Sequence, residues 1–132
     1  MEEKIGTGMK VVRAMTTAQR AGAHYVRIQA MAVKHHISLE QEFDEHDTPD
    51  TKYIVIIDDV LPVATGRLYP INEKEMMLGR IVVLPEYRHQ GLGSLVVQEA
   101  ELWAKELGYQ ADPQRVIHGD VFTCVYMEKE LT

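Results

Sequence analysis

Apolar residues recur along this chain with two different periods, and the changes between them mark its elements. Met9-Lys10-Val11-Val12-Arg13 alternates briefly and predicts a first strand. Thr16 or Thr17 then caps a helix from Ala18 to about Val33, with Ala21, Tyr25, Ile28 and Ala32 at steps of three and four as its apolar stripe. Periodicity stops between His35 and Pro49, where five acids (Glu40, Glu42, Asp44, Glu45, Asp47) read as a solvated loop or a short helix. Tyr53-Ile54-Val55-Ile56-Ile57 is β-branched and aromatic, the clearest strand of the sequence. Asp58-Asp59 turns the chain, Leu61 to Tyr69 returns it, and Pro70-Ile71-Asn72-Glu73 turns it again. Met76 to Leu84 gives a further strand, stopped by Pro85, which has no amide to donate. A helix follows from about Gly91 to Leu107, with Leu92, Val96, Ala100, Trp103 and Leu107 on one face and Gly108 at its end. After Asp112-Pro113 the last strand-like stretch runs from Val121 to Met127. Strand, helix, three strands, helix, strand predicts an α/β fold in which helices cover a mixed, mostly antiparallel sheet.

The length of 132 residues suits one domain spanning 1–132. An apolar share of 45% beside 26% charged residues places the chain among ordinary soluble proteins. No apolar run nears the roughly 20 residues that cross a bilayer, and Met1-Glu2-Glu3-Lys4 opens acidic, unlike a signal peptide. The expected location is the cytoplasm, with no membrane partner. The net charge is −6 and the basic residues are scattered, which argues against nucleic-acid binding. Cys124 is the only cysteine, so an intrachain disulfide is excluded, and its setting in Val121-Phe122-Thr123-Cys124-Val125-Tyr126 suits an apolar filler. The six histidines include no His-x-x-x-His pair, and no metal is expected.

Chemistry concentrates in Ile81-Val82-Val83-Leu84-Pro85-Glu86-Tyr87-Arg88-His89-Gln90-Gly91-Leu92-Gly93-Ser94. A strand ends at a proline, and a glycine-punctuated turn opens a long helix. The first amides of a helix have no internal partner, and the helix dipole adds positive potential there. Gly91 and Gly93 carry no Cβ, so ligand oxygens can approach the backbone, and Arg88 adds a fixed charge. A glycine pair before a helix can also be a plain turn. The segment contains neither the Gly-Lys-Ser/Thr of a P-loop nor the Gly-x-Gly-x-x-Gly of a dinucleotide fold.

Val83 to Gly93 resembles the acetyl-CoA signature of GNAT acetyltransferases, whose core is Arg/Gln-x-x-Gly-x-Gly/Ala. Val26-Arg27 through Val33, with Ile37 to Asp47, is similar to the substrate-side segment of small bacterial ElaA-like and YjcF-like members, and Val63 to Leu68 resembles their third strand. The resemblance spans about residues 10 to 108. It implies the GNAT-like acyl-CoA N-acyltransferase fold and transfer of an acetyl group from acetyl-CoA to a primary amine of a small molecule or peptide, by direct attack. It further implies that the backbone of Ile81, Val82 and Val83 pairs with the pantetheine arm. Arg88, His89, Gln90, Gly91, Leu92, Gly93 and Ser94 would then hold the pyrophosphate, with His89 contributing its backbone. Glu42, Asp44 and, less directly, Glu45 are candidates for a base or for attraction of a cationic amine; a solvated acidic loop is the alternative. Arg67 and Arg80 either face the cleft or flank the sheet.

The family pattern breaks after Tyr109. Members follow the long helix with another strand and a short helix carrying the tyrosine that protonates the leaving thiolate, and Gln110-Ala111-Asp112-Pro113 leaves no room for them. The fold is therefore expected to be shortened in its C-terminal half, with Tyr109 and Tyr126 as the remaining acid candidates. A homodimer formed near Ile81–Leu84 and the tail would cover the exposed edge. Loss of the acid-bearing segment also admits a second function: a CoA-binding or interaction module without catalysis.

Overall fold

A computed structural model describes the backbone of residues 2–4, 8–118 and 123–128, and the side chains of residues 8–110. One seven-stranded sheet forms the frame. Its strands are β1 (Glu2–Lys4), β2 (Met9–Arg13), β3 (Lys52–Asp58), β4 (Leu61–Pro70), β5 (Glu75–Val83), β6 (Gln110–His118) and β7 (Thr123–Glu128). They lie in the order β1-β2-β3-β4-β5-β7-β6, and every neighbouring pair is antiparallel. The helices are α1 (Thr17–Arg27), which continues as π-helical turns over Ile28–Val33, then α2 (Leu39–Glu42) and α3 (Leu92–Glu106).

An inner strand, β3, explains the layering. Tyr53, Ile54, Val55 and Ile56 of β3 are all fully buried, so the strand reads as a continuous apolar run rather than an alternation. Tyr53 and Val55 pack with Ala14 and Ala23, on the face where Gly22 of α1 lies against Val55 and Pro62. Ile54 and Ile56 point the other way, into the larger core that holds Val96, Ala100 and Ala104 of α3. α3 can settle on that face because position 66 is glycine: a Cβ there would come within 2.6 Å of a Val96 methyl.

Helix α1 buries a different face from the one its apolar stripe predicts. Ala21 and Tyr25 are exposed, while Gly22, Ala23, Val26, Arg27, Ala30 and Met31 are buried. Arg27 decides the outcome: its charge is drawn inward by two carboxylates, so a count of apolar residues alone points away from the true inner face. The π-helical turns after it add a residue per turn and shift the phase again.

A second correction concerns the C-terminal half. A strand does follow α3: β6 runs through Pro113 at the edge of the sheet. Its pairing with β7 holds at Gln110↔Glu128 and Ala111↔Met127 and resumes at Val116↔Val125, so the proline falls in an irregular stretch outside the ladder. Edge strands and bulges are where proline is tolerated. Among the described residues no helix lies between α3 and β7. β7 pairs with β5 of the same chain, so residues 123–128 of the tail are taken up in their own sheet. Val121 and Phe122, and the side chains of Cys124, Val125, Tyr126 and Met127, lie outside the described residues.

Candidate functional site

Strand β5 is unevenly partnered. Its pairing with β7 covers Glu75, Met76, Met77 and Leu78 and stops at Leu78↔Val125. Among the described residues, Gly79–Val83 therefore has no strand on the side away from β4, and apart from the Val83 carbonyl, which accepts from Arg88, its backbone groups on that edge can receive a ligand. The other edge is irregular at the same place. Thr65 pairs with Val82 and Arg67 with Gly79, so Arg80 and Ile81 together face the single residue Gly66 in a bulge. Arg80 adopts φ 49°, a left-handed conformation uncommon for a residue with a side chain.

Beyond Val83 the chain passes through a short 3-10 turn, Pro85–Tyr87, into the loop that opens α3. His89 (φ 65°) and Gly91 (φ 78°) are both left-handed, so the backbone reverses twice within three residues. The starts of the three helices differ. α1 begins with a full capping box between Thr16 and Gln19, and α2 with one between Ser38 and Gln41. α3 begins at Gly91 with no side-chain cap. Its first amides are thus left to water or a ligand, and a Cβ built at Gly91 meets no protein atom within 4 Å. At Gly93 the nearest atom is a Val83 methyl at 4.0 Å. The Arg88 side chain folds back so that Nε donates to the Val83 carbonyl at 3.2 Å, and it enters no ion pair among the described residues. Backbone amides, a helix terminus and one arginine converge here in a setting suited to an anionic ligand.

The acidic stretch contains the short helix that is one of its two readings, α2, and of its five acids Glu40 and Glu45 are exposed while Glu42, Asp44 and Asp47 are not left to solvent. Three arginines from three elements hold it down. Arg27 of α1 donates to Glu42 (Nε–Oε2, 2.9 Å) and to Asp47 (Nη1–Oδ1, 2.5 Å), and it also reaches the Glu42 carbonyl at 2.6 Å. Arg67 of β4 donates to Asp44 at 2.8 Å and to Asp47 at 3.0 Å. Arg80, in the bulge, reaches the Glu42 carbonyl at 3.2 Å and Asp44 Oδ2 at 3.3 Å. Tyr53 donates its hydroxyl to Asp47 at 2.6 Å, and the Thr51 hydroxyl donates to the His46 carbonyl.

Burial pushes the Asp47 carboxyl up, but hydrogen bonds from Arg27, Tyr53 and the Asp44 amide outweigh it and hold the group far below the usual carboxylate range. Asp44 behaves likewise: burial raises it, while Arg67, the His46 amide and the charges of Arg67 and Arg80 leave it lowered. A carboxylate held in this way is a weak base and a durable negative charge. Burial, then the Arg27 charge, keep His24 below the ordinary histidine value, between the rings of Phe43 and Tyr53.

The predicted residues therefore separate into two groups. Ile81, Val82 and Val83 stand at the open edge and are linked to the loop of Arg88 to Ser94 by the Arg88–Val83 hydrogen bond and by the Val83 methyl near Gly93. Glu42 and Asp44 lie beside the bulge, tied to it through Arg80, with Glu42 buried and Asp44 partly exposed. Glu45 is exposed and lines a cavity of about 490 Å³ with His46, Tyr69, Met76, Leu107 and Tyr109. Tyr109 is not brought to the loop. It is buried at the far end of α3, a helix of 15 residues and about 22 Å. Among the described residues no group of histidine, cysteine and carboxylate side chains could hold a metal, and no helix is long and apolar enough to cross a membrane. The roles of Arg27, Asp47 and Tyr53 were not legible in the sequence, and for Arg67 and Arg80, read as facing the cleft or flanking the sheet, the structure shows pairing with the acidic stretch. Their one signal is a near balance of charge between the acidic stretch and arginines distant from it along the chain.

Residues 15–112 match the acetyltransferase (GNAT) family. The uncharacterised N-acetyltransferase YjcF of Bacillus subtilis is 31% identical over 100 residues, which cover 76% of this chain and 70% of that protein. The crystal structure of a Lactobacillus plantarum protein classed with the N-acetyltransferases superposes with a TM-score of 0.71 at 28% identity, over 96% of this chain and all of that one. Escherichia coli ElaA superposes with a TM-score of 0.58 at 15% identity, over 98% of this chain and 100% of that one, a likeness of fold alone.

Proposed function

The chain belongs to the acetyltransferase (GNAT) family, and on that premise we propose that it transfers an acetyl group from acetyl-CoA to a primary amine of a small molecule or peptide by direct attack. The observation that carries the reading is the continuity of the unpaired edge of β5, Gly79–Val83, with the uncapped start of α3 at Gly91. An extended amide-bearing arm fits the edge, and a pyrophosphate fits the helix start.

In this reading the backbone of Ile81 to Val83 pairs with the pantetheine arm, the amides of Gln90 to Ser94 bind the pyrophosphate, and Arg88 contributes charge. Acetyl-CoA supplies an activated thioester: the amine nitrogen bonds to the acetyl carbon, the carbon–sulfur bond breaks, and the proton lost by the amine is balanced by the one the thiolate takes up. The chain's task is to position the amine at the bulge, where Asp44 and Glu42 are held. Asp44 orients the acceptor rather than deprotonating it, because its lowered pKa makes it a poor base, and the amine's proton leaves through water. Tyr109, buried at the opposite end of α3 from the proposed pyrophosphate site, lines a cavity with Tyr69 and Met76 and is kept as the candidate acid. The second reading, a CoA-binding module without turnover, is supported by the lack, among the described residues, of a helix between α3 and β7.

An amine panel with acetyl-CoA and thiol detection separates the two. CoA release above hydrolysis with some acceptor supports transfer; calorimetric binding of acetyl-CoA without turnover supports the module. We place the protein in the cytoplasm as a homodimer that meets through its C-terminal half. Sedimentation at low micromolar concentration tests the dimer, and a 15 kDa monomer rules it out.

A further inference from the structure

The six charged residues beside the bulge form a neutral set of three arginines and three carboxylates, and they are not equally accessible. The side chains of Arg27 (0% exposed), Glu42 (3%), Asp47 (8%) and Arg67 (4%) are sealed, whereas Asp44 and Arg80 are each 25% exposed. The sealed members bind at 2.5 to 3.1 Å, but the contacts of Arg80 are all longer, 3.2 to 3.4 Å. The set therefore shows solvent one carboxylate and one loosely held guanidinium side by side, with Arg80 Nη2 and Asp44 Oδ2 3.3 Å apart. Arg80 stands in the bulge, within the open edge of β5.

We propose that Asp44 and Arg80 together recognise an acceptor that carries an ammonium and a carboxylate on neighbouring atoms, an amino acid rather than a simple amine. This rests on the acetyl-transfer reading for its location and deepens it by naming the acceptor class. A ligand with an ammonium alone would gain Asp44 but meet the Arg80 charge next to it, and the neutral set offers it no net attraction. A zwitterion replaces both halves of the pair at once: its ammonium takes the place of Arg80 on Asp44, and its carboxylate takes the place of Asp44 on Arg80. Opening the pair costs little, because a partly exposed ion pair contributes little to stability. The guanidinium fork suits a carboxylate held by two hydrogen bonds. Asp44 keeps a second hold on Arg67, so the carboxylate stays in place when Arg80 turns to the ligand.

Calorimetry on the CoA-saturated protein tests this without chemistry. The probes are two matched sets: L-leucine, L-leucinamide and isopentylamine; L-lysine, L-lysinamide and cadaverine. In at least one set the amino acid should bind about tenfold or more tightly than its amide and amine, the value of one charge-assisted contact. Arg80→Gln should reduce the amino acid to the level of the amide and strengthen or leave undiminished the binding of the amine, which loses a repelling charge, and Asp44→Asn should weaken all three. Arg80→Lys, which keeps the charge without the fork, should retain an intermediate preference and serves as the control for folding. Equal affinities within both sets, a preference that survives Arg80→Gln, or no binding by any of the six probes overturns the proposal. Thiol release from acetyl-CoA with the same probes judges the transfer reading separately. Preference without turnover sinks only transfer, and turnover of plain amines without preference sinks only this proposal.

Discussion

Residues 38–51 and residues 85–94 flank the same stretch of β5, yet they treat their polar groups in opposite ways. In the first, the start of α2 is closed by its own Ser38 and Gln41, and Glu42, Asp44 and Asp47 are all paired to arginines. In the second, α3 starts without a side-chain cap, and two residues take left-handed conformations that leave the space at Gly91 open. A chain that satisfies its own hydrogen bonds gains rigidity there; where it leaves them unmade, a ligand can complete them. The acidic segment thus acts as a fixed wall and the glycine loop as a receiving surface. Only Asp44 and Arg80 share both characters.

The largest effect should come from breaking the wall. Arg27→Ala leaves Glu42 and Asp47 buried with their shared cation gone, and loss of one partner from a buried pair costs about 3–5 kcal/mol. Urea unfolding should show a midpoint shift of that size. A loss below about 1 kcal/mol would mean that Arg67 and Arg80 can carry the acids without Arg27. Next in size is the receiving surface. Gly91→Val places a side chain in empty space, so it clashes with nothing in the protein, although its left-handed backbone costs roughly 1–2 kcal/mol. Acetyl-CoA binding should weaken on the order of a hundredfold, as expected for two lost charge-assisted hydrogen bonds. Unchanged calorimetric affinity in a folded Gly91→Val protein would remove the loop from the site.

The same contrast explains what the sequence disclosed. The loop was readable because its chemistry is local: a strand, a proline, an arginine, two glycines and a helix within fourteen residues. The central strands were readable too, since Tyr53 to Ile57 and Met76 to Leu84 carry β-branched runs between clear turns. The wall was not, because its pairs join residues 15 to 38 positions apart and no local pattern ties Arg27 to Asp47 or Arg80 to Asp44. The apolar stripe Ala21, Tyr25, Ile28 and Ala32 also lies one position away from the face that α1 buries, which includes Arg27. Strand β6 was missed because Pro113 reads as a break, whereas at a sheet edge its missing amide breaks no ladder.

Acid should weaken the wall before it affects the loop. The folded-state pKa values of Asp44 and Asp47 lie below their unfolded values. Their stabilisation is therefore complete above the unfolded carboxylate value near 4 and is lost progressively as pH falls below it. Asp47→Asn should be less stable than the wild type at pH 7, and the two stabilities should converge as pH is lowered toward about 2. Parallel curves from thermal melts across that range would show that Asp47 does not carry the acid sensitivity.

The smallest effect is the most discriminating between the two regions. Ser38 accepts from the Gln41 amide at 3.2 Å while the Gln41 side chain accepts from the Ser38 amide at 3.2 Å, closing the start of a helix only four residues long. Ser38→Ala removes one half of that box and should cost about 1 kcal/mol of unfolding free energy. The substitution is exposed, far from Gly91 along the chain, and changes no charge, so acetyl-CoA affinity should stay within twofold of the wild type, about 0.4 kcal/mol. If affinity instead falls with stability, the wall and the receiving surface are not independent. Arg80 then provides the path, since it joins α2 to the open edge: it holds the Glu42 carbonyl at one end and stands in the β5 bulge at the other. Repeating Ser38→Ala in an Arg80→Gln background decides that case. A coupling that runs through Arg80 disappears in the double variant, and one that persists must travel through the sheet itself.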